Sequence, residues 1–336
     1  MALYLAHPSS LRHDTGAHPE NAGRLRAVEA ALEARDWLGL DRVEAPAADR
    51  HWLERVHSIE LIDRIEALSA AGGGMIDFDT GASAGSWEAA LHAAGAAASA
   101  AERLLAGSDK IAFCGTRPPG HHAEADRAMG FCLFNNVAVA SAHALEACGA
   151  ERVLVLDWDV HHGNGTEAIF AGSSSVLYAS IHQSPLYPGT GSPDYVGVGE
   201  GVGYTVNLPV APGSGGEEFL ALVQHVVAPL ARTFEPDLLV VSAGYDAHRM
   251  DPLASCLVDT EGFAEMAASM RDLGREIEAP LLVCLEGGYD PVALAASVVA
   301  TLEAMVGERP PRRASPQPAA AAAARLARHW PVLAPG

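Results

Sequence analysis

The sequence predicts a single α/β domain with a mostly parallel central sheet flanked by helices. Three observations carry that prediction. Short apolar runs rich in β-branched residues alternate with longer helix-like segments. The runs are nearly continuous in their apolarity, as in strands covered on both faces. The chain has 336 residues and 49% hydrophobic content, ample for one large core.

The strands are read in order as IAFC from Ile111, VLVL from Val153, VLYASI from Val176, LLVVS from Leu238 and LLVCL from Leu281. The helices are read over residues 86–106, an Ala-rich stretch with apolar spacing, and then over 135–148, 217–234, 261–278 and 291–306. No internal repeat is evident. Residues 1–309 are read as the catalytic domain and residues 310–318 as a proline-rich connector. For residues 319–336 the reading is an Ala-rich helix that docks back on the same domain, with a disordered tail as the alternative.

Charge narrows the function. Asp+Glu number 42 against 22 Lys+Arg, a formal net charge of −20. Phosphate binding needs clustered Lys and Arg, so nucleic acid is not an expected partner. A generally acidic soluble protein is the plainer reading; cationic substrates such as lysine-bearing peptides or polyamines would also suit such a surface. The five cysteines are odd in number, form no CxxC pair and mostly sit in apolar runs. They read as reduced core residues. No signal peptide is evident and no uncharged apolar stretch reaches membrane-spanning length, so the expectation is a cytoplasmic protein with no membrane partner. Oligomeric state is left open, a homo-oligomer included.

The loops after the strands carry the chemistry. IAFC leads to GTRPPGHHA, with His121 and His122. VLVL leads to DWDVHHGNGT, with Asp157, Asp159, His161, His162 and Asn164. LLVVS leads to AGYDAH, with Asp246, and LLVCL to EGGYD, with Tyr289. Ligands bind at the C-terminal edge of open α/β sheets, and four loops deliver polar groups there. Asp159 and His161 are two apart, so their side chains project to one side and can share an ion. Asp246 could supply a third ligand, which leaves a position open for water, as in catalytic zinc sites. His121 and His122 are candidate proton carriers, with Asp157 and Asn164 available to orient them. The phenol of Tyr289 could donate to a developing oxyanion. Phe131 and Tyr187 could line an apolar channel. Each feature taken singly has a plain structural explanation. His162 has no derivable chemical role and is read as structural.

The motifs RPPGHHA, GFCLFNN, LDWDVHHGNGT, SIHQSPLYPGTG, SAGYDAH and LEGGYD, with HDTGAHPENAGRLRAV before them, resemble in order those of the zinc-dependent histone deacetylase family. The wording is nearest its class II and bacterial amidohydrolase-like branches. The resemblance implies a deacetylase acting on acetyl-lysine or a related N-acyl amine. It implies that Asp159, His161 and Asp246 hold one Zn²⁺, that His122 is general base and then general acid, and that His121 with Asp157 supplies electrostatic stabilisation. It implies that Tyr289 binds the oxyanion, and that Gly130, Phe131 and Tyr187 flank the acyl-lysine stem. It also implies K⁺ at Asp157, Asp159, His161, Ser180 and Ile181, and a second K⁺ at Phe170, Ser173, Val176 and Tyr204. Two positions depart from family patterns. Asn164 replaces the aspartate of class I. Leu253 follows Asp251-Pro252 where the polyamine-specific branch has a glutamate, which tilts the reading toward acyl-lysine without excluding polyamines.

Two other readings compete. A binuclear manganese ureohydrolase shares the fold class but usually carries a DxD pair where this chain has Asp246-Ala247-His248. A catalytically dead binding module would be expected to have lost part of the ligand set, which is intact here.

Overall fold

The protein's structure is a computed structural model that describes residues 2–334. In chain order its strands are Ala2–Ala6 (β1), Asp41–Glu44 (β2), Gly73–Met75 (β3), Gly81–Ser83 (β4), Ile111–Cys114 (β5), Val153–Asp157 (β6), Val176–Gln183 (β7), Thr205–Val210 (β8), Leu238–Ala243 (β9) and Leu281–Leu285 (β10). β3 and β4 make a small antiparallel hairpin. The other eight form one parallel sheet in the order β2-β1-β5-β10-β9-β6-β7-β8.

The five strands legible in the sequence, β5, β10, β9, β6 and β7, are five of the six interior strands, β1 being the other. Period-two alternation sorts their side chains onto two faces. Leu154, Leu156, Leu239 and Val241 enter one core, while Val153, Val155, Leu238 and Val240 enter the other. Both faces are covered, which is why these runs are apolar throughout. Strands β1, β2 and β8 were not expected. β2, DRVE, is an edge strand with mostly exposed residues. β8, TVNLPV, lies on the other edge and tolerates Pro209 there. β2 faces water, and β8, though buried, is interrupted by Thr205, Asn207 and Pro209, so neither carries a continuous apolar signal.

The helices at Ser86–Leu105, Asn136–Ala147, Thr260–Glu276 and Pro291–Val306 follow the expected ranges. The expected helix over 217–234 is broken. It runs Gly216–Leu222, passes through a π turn at Val223–Val227, and resumes at Ala228–Phe234. Pro229 has no N–H to donate, and the wide turn lets the chain pass it. Helices at Ala22–Glu33, Ile59–Ala70 and Asn164–Phe170 were not anticipated.

Beyond residue 306 the chain is tied to the domain by Arg271. Its buried guanidinium donates to the carbonyls of Ala304, Gly307 and Arg309 at 2.5–2.9 Å. The terminal helix is shorter than the expected 319–336. It spans Ala320–Leu326, and a 3₁₀ turn follows at Pro331–Leu333. Leu326, Trp330 and Leu333 are buried in the main core, and the Trp330 indole donates to Gly203 O at 2.8 Å. The last two residues of that expectation, 335 and 336, lie outside the described residues. All five cysteines are unpaired, four of them buried. Among the described residues, no helix is long and apolar enough to cross a membrane.

Candidate active site

The site grows from the C-terminal end of β6. Asp157, its last residue, pairs in register with Ser180 of β7 and Ser242 of β9. The chain beyond it folds over its own carboxylates. The N–H of Asp159 donates to Asp157 Oδ1 at 3.1 Å and that of His161 to Asp159 Oδ1 at 2.9 Å. Val160 N–H donates to Asp246 Oδ1, 2.9 Å away in the loop after β9. Gly287, after β10, donates to Asp159 Oδ2 at 2.8 Å. A Cβ at Gly287 would lie 2.1 Å from Asp246 Oδ2, so only glycine lets that backbone come so close.

These bonds bring Asp159, His161 and Asp246 together. One ligand atom from each lies within 4.8 Å of the others, and all three residues are buried. His161 Nδ1 is 3.0 Å from Asp246 Oδ2 and 3.2 Å from Asp159 Oδ1. Burial and the neighbouring charge of Asp159 push the Asp246 carboxyl above its ordinary range. A divalent cation between the two carboxylates would relieve that conflict, and the O, N, O donor set suits zinc.

The surroundings of the two loop histidines push their pKa values in opposite directions. His121 Nδ1 lies 3.0 Å from Asp157 Oδ2, which also accepts from the Tyr178 hydroxyl at 3.1 Å. Burial opposes a charge on His121, but Asp157 and Asp159 outweigh it and hold its pKa well above the ordinary imidazole value. That pairing favours a proton on His121 Nδ1, shared with Asp157. His122 lies the other way: burial, His121 and His161 hold it well below that value. Its Nδ1 is 2.8 Å from Asn164 Oδ1, and the Asn164 amide donates to Glu124 Oε1 at 2.7 Å. That second bond fixes the amide's orientation. Nδ1 of His122 must then carry the proton, leaving Nε2 as a bare lone pair.

Tyr289 reaches the same space from the loop after β10. Burial and the charge of Asp246 raise its phenol well above the ordinary value, so it remains a donor. Its N–H donates to Asp251 Oδ2 at 2.6 Å, and the Arg24 guanidinium sits 4.9 Å from its ring centre. Phe131 meets the Tyr289 ring edge-on at 5.7 Å, and Tyr187 meets His122 edge-on at 5.2 Å. Gly130 passes against the His122 ring, where a Cβ would be 2.4 Å from Cδ2. Leu253, half-buried, donates its N–H to Asp251 Oδ1 at 3.0 Å and so adjoins the residue that holds Tyr289.

The remaining expected positions fall in two places. Ser180 and Ile181 are buried in β7 beside Asp157. Phe170, Ser173, Val176 and Tyr204 gather where β7 begins, at the far end of that strand. There Phe170 O accepts from Ser173 N–H and Tyr204 O from Tyr178 N–H, each at 2.9 Å. His162 points away from the metal-ligand cluster. Its Nδ1 is 2.8 Å from Thr190 Oγ1 and its Nε2 3.2 Å from Glu167.

Sequence reasoning missed a layer of buried charge under the site. Glu286 accepts from Gly120 and His121 N–H at 2.6 and 3.2 Å and so fixes the histidine loop. Glu20 is fully buried between Arg117 and Arg24, and Arg24 donates on to the Glu286 and Gly288 carbonyls. Glu20, Arg24, Arg117, Glu124 and Glu286 all lie in or beside the quoted motifs. Their charge within those motifs was the available signal.

A family model for the histone deacetylase domain matches residues 18–305. Among curated proteins, "Probable deacetylase" of Methanothermobacter thermautotrophicus is 43% identical over 312 residues, covering 92% of each chain. The "Histone deacetylase-like amidohydrolase" of Pseudomonas aeruginosa is 40% identical over 295 residues, covering 87% of this chain and 77% of that one. Among solved structures, the crystal structure of the HDA15 HD domain superposes with a TM-score of 0.92 at 38% identity, covering 98% of this chain and 97% of that one.

Proposed function

The chain belongs to the histone deacetylase family, and from that premise we propose that it is a zinc-dependent amidohydrolase releasing acetate from N-acetyl-lysine or a related N-acetylated amine. One observation carries the reading: the Asp159–His161–Asp246 cluster, His122 and Tyr289 come together from four separate strand-end loops.

Asp159, His161 and Asp246 would hold the zinc. When bound, it supplies Lewis acidity toward the amide carbonyl and the attacking water. His122 takes the proton of that water on Nε2, and Asn164 stabilises the imidazolium formed. The same proton then passes to the leaving amine, so no covalent acyl-enzyme is needed. His121, paired with Asp157, supplies electrostatic stabilisation of the negative charge that develops. Tyr289 donates its hydroxyl proton to the oxyanion. Phe131 and Tyr187 exclude water around the acyl-lysine stem, with Gly130 and Leu253 at its border. K⁺ beside Asp157, Asp159, His161, Ser180 and Ile181 would brace the β6 loop. A second K⁺ would lie at Phe170, Ser173, Val176 and Tyr204. Five unpaired cysteines suit a reducing cytoplasm.

The test is turnover by the zinc-loaded protein of three substrates: an acetyl-lysine peptide, an acetylpolyamine and a longer-acyl lysine peptide. Hydrolysis of the first, read as free amine formed and faster than for the other two, supports the reading. Preference for the acetylpolyamine would move the substrate class, and no hydrolysis of any of them would sink the proposal.

A further inference from the structure

A second cluster of metal-ligating side chains lies at the β1 edge of the sheet. His7 follows β1, and Glu88 and His92 stand four apart on the helix Ser86–Leu105. One ligand atom from each lies within 4.8 Å of the others. Glu44, the last residue of β2, brings Oε1 to 3.7 Å from His7 Nε2. β1 is four strand positions from β6, about 19 Å at the usual spacing, so this cluster is separate from Asp159, His161 and Asp246.

Hydrogen bonds orient both imidazoles. His92 Nδ1 lies 2.7 Å from Ala45 O. A carbonyl only accepts, so Nδ1 carries the proton and Nε2 presents a lone pair. A backbone carbonyl orients many metal-bound histidines in this way. His7 Nδ1 accepts from the Ser9 N–H at 3.2 Å and lies 2.7 Å from the Ser9 hydroxyl, so Nε2 carries the proton in the neutral ring; an ion at Nε2 would displace that proton, with Nδ1–H then donating to Ser9 Oγ. Arg12 engages Glu88 through Oε1 alone, leaving Oε2. The His7 and His92 rings stack at 3.4 Å, and contact that close disfavours two positive charges. The rings are parallel to within 5°, so one ion bound through both requires one ring to tilt out of the stack.

We propose that His7, His92 and Glu88, with Glu44 as fourth donor, form a second divalent-metal site of zinc-type chemistry. Two imidazole nitrogens and one or two carboxylates match borderline cations such as Zn²⁺ better than Mg²⁺ or Ca²⁺. The ion clips the ends of β1 and β2 to the Ser86–Leu105 helix, and because it binds only the folded chain it stabilises that chain.

The experiment starts from protein carrying its dialysis-resistant zinc and titrates further Zn²⁺ by calorimetry, with thermal unfolding in parallel. One additional saturable site per chain and a saturating rise in Tm are expected. His92→Ala and His7→Ala should each weaken that site by at least about 100-fold, since even a supporting partner of a metal ligand is worth about 10–100-fold. Turnover and the dialysis-resistant zinc should be retained in both. Glu88→Gln, at an exposed position, should weaken the site as well and covers the case in which His92→Ala fails to fold. Failure of the wild-type protein to saturate a second site overturns the proposal, as does a second site that His7→Ala and Glu88→Gln leave unchanged.

Discussion

The Asn164 side chain ties His122 to Glu124: its Oδ1 lies 2.8 Å from His122 Nδ1, and its Nδ2 donates to Glu124 Oε1 at 2.7 Å. An amide held at one end alone could turn over and offer His122 its N–H₂ face. Glu124 prevents that. The tether keeps the basic nitrogen of His122 pointed into the site.

Two substitutions test the tether. His122→Ala should cut kcat by about 10²–10⁴, the usual worth of a general acid–base group, with Tm nearly unchanged. Glu124→Ala should cost less, on the order of 10-fold in kcat with little change in KM, because it frees the amide without removing the base. Steady-state kinetics with thermal unfolding read both outcomes. Normal turnover by folded His122→Ala would remove His122 from the mechanism.

Tyr289 is held twice, through its N–H by Asp251 and through its ring by Arg24. Tyr289→Phe should lower kcat by about 10²–10³ while KM stays near wild type, as for other oxyanion donors. Asp251→Ala should lower kcat in the same direction by a smaller factor. Equal kcat for Tyr289→Phe and wild type would place the phenol outside the reaction.

Metal content separates the deacetylase reading from a binuclear one. About one zinc per chain should survive dialysis, and chelation should abolish turnover reversibly. Asp246→Ala should lose that zinc and reduce turnover by more than about 100-fold. Elemental analysis decides. A tightly held manganese pair would favour ureohydrolase chemistry.

Stability should fall on acidification in two windows. Burial would raise Glu20, but Arg117 and Arg24 outweigh it and bring its pKa to about 2, below the ordinary 4.5. Its contribution is complete above pH 4.5 and is lost as pH falls from 4.5 toward 2. His57 and His13 are held neutral by burial, at about 4 against the ordinary 6.5. The unfolded chain takes up their protons first, so that loss begins below pH 6.5 and is complete near 4. Urea unfolding at a series of pH values should show the upper window, and His57→Gln should flatten it. Glu20→Gln leaves Arg117 and Arg24 without their buried partner and should cost about 3–5 kcal/mol at neutral pH.

The sequence by itself determined the parallel sheet interior and the chemical groups at its edge. Val153–Leu156 and Leu238–Val241 are apolar on both faces because both faces are covered, so five of the six interior strands were legible from composition alone, β1 being the exception. Asp157, Asp159, His161 and Asp246 were legible because charged groups at the end of a buried strand demand partners. Only the tertiary structure decided what those partners are. Glu20 packs between Arg117 and Arg24 across a sequence separation of 97 residues on one side and 4 on the other. Glu286 holds the His121 loop from 165 residues away. Such pairings leave no local periodicity, because they follow from strand order and not from spacing along the chain. The edge strands β2 and β8 escaped for a related reason: β2 is mostly exposed and polar, β8 is buried but broken up by Thr205, Asn207 and Pro209, and only a neighbour in the sheet makes each a strand.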